Sequence, residues 1–463
     1  MSSYRIEHDS LGQVEVPAEA LYGAQTARAL KNFPISGRTA HASLIRAYLK
    51  IKAAASRANS RCGVLPKESD ALITQAYEEV INIQSLWNNL FPVDPYQAGA
   101  GTSQNMNMNE VLANVANRIY GSSLGTYSPI HPNDQVNRSQ STNDTFPTAM
   151  RLALLEESKG LVDALTSLSL SFGKKGRKWD SLPKAGRTHL MDAVPMRLGQ
   201  EFRAYCKTIS RLAAWITQGR DALRELNIGG SAIGTGVTVP AGFQREIIVE
   251  LQRLTGEALH PASDLIEATQ SQSPVAYYAS MLRIMALELT RICNDLRLLA
   301  SGPATGLAEI LLPAVQPGSS IMPGKVNPSI LEMANQTWYS VLGYDHTIAQ
   351  CVQAGQLELN VMMPMMAYSA IEATRISTNA VEQLKSRCID GMTANEPRLR
   401  QYFETTPQVM TALSPKLGYE MTAKLVQEAT ATGKSVLDLV REKGLMPSEE
   451  IAKLVDLRTL TGV

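Results

Sequence analysis

The chain has 463 residues, and its 44 Lys and Arg stand against 43 Asp and Glu for a formal net charge of +1. That balance excludes a polybasic nucleic-acid binder and an acidic disordered chain. With 44% hydrophobic and 19% charged residues the chain can bury a large core, and with 6% aromatic residues but 18 Met that core is expected to consist of Leu, Ile, Ala and Met, which favours helix.

In chain order, residues 1–145 mix short helical patterns with loops rich in Gly, Asn, Pro and Thr, notably Tyr96 to Asn109 and Ser128 to Asp144. Long helical runs dominate residues 146–392, at 149–178, 196–226, 275–299, 329–354 and 364–389. In the third run Tyr278, Leu282, Met285, Leu289, Ile292, Leu296 and Leu299 alternate spacings of four and three, the stripe of a bundle helix. At 1.5 Å per residue that rod is about 37 Å long. Ala286 and Leu287 beside the stripe predict burial on more than one side, hence an oligomer with a shared helical core. Residues 393–463 read as a small helical unit broken at Pro397, Pro407, Pro415 and Gly418, ending in two short amphipathic helices around Gly444 to Pro447.

Cys62, Cys206, Cys293, Cys351 and Cys388 are scattered and never form a CxxC pair, so neither a disulfide framework nor a zinc site is indicated. Reduced thiols, no signal-like N-terminal run and no uncharged apolar run of about 18 residues predict a cytoplasmic protein that does not span a membrane. Two other signals fail on inspection. Thr432-Gly433-Lys434-Ser435 lacks the Gly a phosphate loop needs at the position of Glu428 and reads as a helix boundary. Gly229 to Gly236 is glycine-rich without GxGxxG spacing or a preceding strand.

Four stretches carry chemistry. Gly99-Ala100-Gly101-Thr102-Ser103 precedes a helical run, an anion-binding arrangement of free N–H groups and hydroxyls that an ordinary capped helix would also produce. Ser139-Gln140-Ser141-Thr142-Asn143-Asp144 places six polar residues before a long apolar helix, where a cap needs one. Thr188-His189, beside Arg187 on a loop between two long helices, offers a general acid or base, or a group that orients one, although a lone His is more often structural. Gly318-Ser319-Ser320-Ile321-Met322-Pro323-Gly324-Lys325-Val326-Asn327-Pro328 brackets paired serines, a cation and an amide with Gly and Pro, which packing does not explain.

The last stretch resembles the signature GSSxMPxKxN of the aspartase/fumarase superfamily, complete from Gly318 to Asn327. The resemblance extends to Arg5-Ile6-Glu7, to Tyr22 through Thr26, to the other three stretches and to Val436 through Leu445, so it spans nearly the whole chain. It implies an all-α, three-domain subunit, here 1–145, 146–392 and 393–463, with a central five-helix bundle. It further implies a homotetramer with a 20-helix core and active sites built from three subunits. The motifs Gly99-Ala100-Gly101-Thr102-Ser103, Ser139-Gln140-Ser141-Thr142-Asn143-Asp144, Glu267-Ala268-Thr269-Gln270 and Ala300-Ser301-Gly302-Pro303 look nearest the members that deaminate aspartate. His131-Pro132-Asn133-Asp134 and Gly229-Gly230 look like the fumarate hydratases, while Met363 and Thr238 depart from both and leave room for a substituted aspartate.

By the same resemblance Ser319 is the general base, and Thr188 and His189 face the leaving group with Glu332 as the partner of His189. Thr102, Ser141, Thr142 and Ser320 surround one carboxylate of a small dicarboxylate substrate, Lys325 and Asn327 hold the other, and Ser103 and Asn143 also bind substrate. No cofactor or metal is required, with room for activation by a divalent cation, and neither nucleic acid nor membrane is a partner. A structural, non-enzymatic member would show eroded motifs, whereas Thr102, Ser141, Thr142, Thr188, His189, Ser319, Lys325 and Asn327 are all present.

Overall fold

A computed structural model describes residues 4–454 and 456–462. An antiparallel ribbon of β1 (Tyr4–Asp9) and β2 (Gly12–Pro17) precedes helices α1 (Ala24–Asn32), α2 (Ala42–Arg61), α3 (Lys67–Asn82), α4 (Trp87–Leu90), α5 (Thr102–Tyr120) and α6 (Thr142–Lys178). A second antiparallel ribbon, β3 (Pro183–Thr188) and β4 (Met191–Arg197), leads into α7 (Leu198–Asp221), β5 (Glu225–Leu226), α8 (Phe243–Thr255), β6 (His260–Pro261), α9 (Leu265–Gln270), α10 (Ser273–Leu299) and β7 (Ile310–Leu311). The chain continues through α11 (Ser329–Gln353), α12 (Met363–Leu384), β8 (Thr393–Ala394), α13 (Glu396–Thr405), α14 (Ser414–Leu417), α15 (Tyr419–Thr432), α16 (Val436–Glu442), α17 (Ser448–Leu454) and α18 (Leu457–Thr461). Helix dominates, and the five long runs expected from periodicity are α6, α7, α10, α11 and α12. Every residue of the α10 stripe from Tyr278 to Leu299 is buried, as is Ala286, while Leu287 is 53% exposed.

By packing, the chain divides into two compact units: residues 1–162, 214–286 and 339–378, and residues 163–213, 287–338 and 379–463. Each long helix contributes residues to both, so these units do not coincide with the stretches 1–145, 146–392 and 393–463.

In the first unit α2 packs on α3 and α8, and α5 on α1 and α3. The 1–145 stretch is more helical than its texture predicts, with α2 spanning 20 residues and α5 spanning 19. The reason lies in what α5 buries: Gln104, Asn105, Asn107, Asn109, Asn114 and Asn117 are all inside, which erases the apolar period. Three of these amides serve loops, Asn107, Asn114 and Asn117 donating to the carbonyls of Leu90, Leu21 and Ile130 at 2.9, 2.9 and 2.7 Å. The N-terminal motif is used similarly. Buried Glu110 accepts from the amides of Gly23, Gln25 and Thr26 at 2.8–3.1 Å and so caps α1.

In the second unit the β3–β4 ribbon packs against α13 and α18. Arg187 donates to buried Glu309 at 2.7 Å, and Lys184 lies 3.3 Å from Glu201 and 3.5 Å from Glu309, so the ribbon's root is an ion cluster. A separate apolar cluster of Leu413, Leu425, Val436, Leu439, Val440 and Ile451 holds the C-terminal helices together. The 432–435 motif is indeed a helix boundary. Gly433 ends α15 at φ +70°, and Ser435 caps α16 by accepting from Asp438 N at 3.2 Å.

Candidate active site

The first unit contributes two helix N-termini. At α5, Ala100 and Gly101 adopt φ of +61° and +86°, which sets exposed Thr102 and half-buried Ser103 on the first turn. A Cβ at Gly101 would lie 1.9 Å from the Phe146 ring of α6, so only glycine allows this approach. At α6, Ser141 and Asp144 form a reciprocal cap: Ser141 Oγ accepts from Asn143 N at 3.2 Å and Asp144 Oδ1 accepts from Ser141 N at 2.9 Å. Asn105, one turn into α5, donates to Thr142 Oγ1 at 3.0 Å and joins the two N-termini. Both helix dipoles and both sets of first-turn hydroxyls therefore favour an anion at this rim. Asn143, also expected to bind substrate, donates one amide N–H to Ala232 O at 2.7 Å.

Beneath the rim the structure uses residues that the sequence left without a role. Asp144 is fully buried, and its Oδ2 accepts from Gly229 N at 3.1 Å and Ser231 N at 3.0 Å, so the glycine-rich turn wraps a side-chain carboxylate. Lys52, between Ile51 and Ala53 on α2, is also fully buried and donates to Asn137 Oδ1 and Gln140 Oε1 at 3.0 Å each. Burial pushes the Asp144 carboxyl up and the Lys52 amine down, and each partly offsets the other's shift through its charge. The one sequence signal was a lysine flanked by Ile51 and Ala53 to Ala55.

The second unit carries the other candidates. Thr188 and His189 do not lie on an irregular loop but at the tip of the β3–β4 ribbon, where Thr188 pairs with Met191. His189 and Leu190 form the two-residue turn with φ of +53° and +62°, the left-handed geometry that twisted ribbons require. Neither is Gly or Asn, so this tip is strained, and the Arg187 to Glu309 bond anchors it. Glu332, expected to pair with His189, lies 4.0 Å from Arg297 within the same chain.

The signature loop closes on itself. Gly318 N donates to Lys325 O at 2.8 Å and Asn327 Nδ2 donates to Gly318 O at 2.7 Å, so one N–H of Asn327 is spent on loop closure. A Cβ at Gly318 would meet Lys325 O at 2.5 Å. Ser319 Oγ accepts from Ile321 N at 3.2 Å and Met322 N at 3.1 Å. Two donors aimed at one hydroxyl oxygen favour negative charge on it. Ser320 and Lys325 are exposed, as is Ile321 at 83%.

Residues 12–343 match a family described as lyase, and residues 409–462 match the fumarase C C-terminus. The chain belongs to the aspartase/fumarase superfamily of lyases. It is 43% identical over 457 residues to an aspartate ammonia-lyase of a Bacillus species, covering 99% of this chain and 97% of that one. An aspartate ammonia-lyase of Pseudomonas canavaninivorans is 45% identical over 448 residues, 96% of this chain and 94% of the other. Among solved structures, a fumarate lyase:delta crystallin from Brucella melitensis bound to cobalt matches with TM-score 0.95 and 42% identity, covering 99% and 100% of the two chains. A class II fumarase from Schistosoma mansoni matches with TM-score 0.93 and 34% identity over 98% of each. Backbone shape is thus shared across the superfamily, and side chains must separate its reactions. Among the described residues, no helix is long and apolar enough to cross a membrane.

Proposed function

We propose that the chain catalyses the reversible deamination of L-aspartate to fumarate and ammonia. The observation that carries the reading is Ser319, whose Oγ faces two backbone N–H groups inside a complete GSSxMPxKxN loop. Full-length relatives called aspartate ammonia-lyase support it. Ser319 takes the proton from the carbon beside one carboxylate, and the electron pair moves into that carboxylate as a doubly charged aci form. Each tenfold gain in rate asks for about 1.4 kcal/mol of selective stabilisation. Donors at Thr102, Ser141, Thr142 and Ser320 supply it. The pair then returns to form the double bond as the neighbouring carbon–nitrogen bond breaks. Lys325 and Asn327 hold the second carboxylate, and Thr188 and His189 face the amine. A protonated amine leaves as neutral ammonia, so no acid and no cofactor are needed.

The same reading includes a cytoplasmic homotetramer with sites shared among three subunits. It is supported by apolar side chains left outside on the bundle helices, Leu170 at 60%, Leu287 at 53% and Tyr339 at 56%. Light scattering should give four chains.

A substituted aspartate is the second reading, favoured by buried Met363 and by Thr238 at φ +70°, the two positions that depart from the superfamily pattern. One assay offering aspartate, malate and N-substituted aspartates separates the possibilities. Ammonia from aspartate without turnover of malate is expected. Malate dehydration without ammonia would overturn the proposal, and faster release of a substituted amine would move the assignment to the second reading.

A further inference from the structure

The hydroxyl of Thr142 owns one proton, and the direction of that proton decides whether it can donate to a carboxylate. Its direction can be traced through hydrogen-bonded partners to a buried residue on another helix. The Lys52 amine offers only donors while charged, and even when neutral it has N–H groups for both of its contacts. The atoms facing it at 3.0 Å must therefore be the side-chain oxygens of Asn137 and Gln140. That orients both amides, and Gln140 Nε2 accordingly donates to Val136 O at 3.0 Å.

Asn137 Oδ1, turned inward by Lys52, then takes the amino groups of Asn105 and Asn109, each at 3.2 Å. The second hydrogen of Asn105 Nδ2 points at Thr142 Oγ1, 3.0 Å away. Asn105 Oδ1 is on the opposite side, where Thr145 Oγ1 approaches to 3.4 Å. Thr142 is an acceptor towards the interior, and its own proton remains for the outer face of the rim. Asn105 and Lys52 are fully buried, Thr142 is 9% exposed, and Asn137 between them is half-buried. The nearby buried carboxylate of Asp144, held by Ser141, Gly229 and Ser231, supplies the countercharge for Lys52.

We infer that Lys52, acting through Asn137 and Asn105, sets the polarity of this chain of hydrogen bonds so that Thr142 stands as a donor to the substrate carboxylate before the substrate arrives. Lys52, Asn137 and Asn105 are positioning residues. The inference rests on the reading of Thr142 as a carboxylate-binding group. Its benefit falls on the transition state, where that carboxylate gains a second charge and a donor already in place costs no reorganisation.

The test is a double-mutant cycle in the full chain, read as kcat and KM for aspartate. Thr142→Val removes the donor, and Asn105→Asp presents an acceptor to Thr142 and turns its proton inward. Each is expected to lower kcat about tenfold with KM little changed, and the double variant to fall no further than Thr142→Val alone. Independent losses that multiply in the double variant, or full activity of Asn105→Asp, would overturn the inference. If Asn105→Asp does not fold, Asn105→Leu enters the same cycle. If neither folds, the network serves the fold alone and the inference is likewise overturned. Full activity of Thr142→Val would instead overturn the site reading beneath it, a distinguishable result.

Discussion

The rim Ser139 to Asp144 and the signature loop Gly318 to Asn327 hold similar residue types in opposite ways. The rim stands on buried side chains from α2 and α5 and on backbone N–H groups of the 229–231 turn, so its hydroxyls inherit their orientation from outside their own segment. The loop is closed mainly by its own backbone, with Gly318 bonded to Lys325 and Ser319 Oγ accepting from the amides of Ile321 and Met322. Apolar Ile321 and Val326 on that loop remain 83% and 48% exposed. A donor that must await a growing charge gains from being braced beforehand. In the proposed role of Ser319 as base, a local turn that favours an oxyanion is enough, and such a turn can sit on an exposed loop. Damage to the rim should therefore reach the fold, whereas damage to the loop should spare it.

Ser319→Ala should break this contrast most visibly. Turnover is expected to fall about 10³-fold, roughly 4 kcal/mol in the barrier, because the proton acceptor is gone. Melting temperature and the inhibition constant of a saturated four-carbon dicarboxylate should stay near wild type, and a large fall in melting temperature would place the loop among the supports of the fold. Next in size is a pair of glycine substitutions followed by thermal unfolding. Gly101→Ala drives a Cβ into Phe146 at the base of the rim and should cost about 3 kcal/mol. Gly324→Ala in the loop meets nothing within 4 Å and carries only the strain of φ +79°, about 1 kcal/mol. Equal losses would erase the distinction.

The smallest effect concerns thiols. Burial pushes Cys293 and Cys388 up to about 12, so at pH 8 an alkylating reagent should modify half-buried Cys62 and Cys206 first and these two only after unfolding. The same shift has a sign. Between the ordinary thiol value of 9.0 and about 12 the folded chain keeps protons that the unfolded chain releases, so these groups lose their contribution to stability as pH rises through that range. Mass spectrometry of the labelled peptides and melting curves against pH read both.

Periodicity made the long helices legible, because α10 shows an uninterrupted stripe to its neighbours and every stripe residue is buried. The chemistry of the signature loop was legible because Gly, Ser, Lys and Asn in that order have no packing use. Helix α5 was obscured because its inward positions are amides, which break the apolar pattern while satisfying loop carbonyls. The ribbon tip was missed because His189 and Leu190 occupy left-handed positions without the Gly or Asn that normally signals such a turn.

Local order in the sequence thus determined the helices and the kinds of chemical group at the rim, the ribbon tip and the loop. What it left open was direction. Whether Thr142 donates or accepts depends on Asn105, Asn137 and Lys52, which the sequence separates widely and the fold places within 3.2 Å steps of one another. A hydroxyl or an amide has no polarity of its own along the chain. It takes one from a neighbour that, while charged, can only donate, and tertiary structure chose that neighbour.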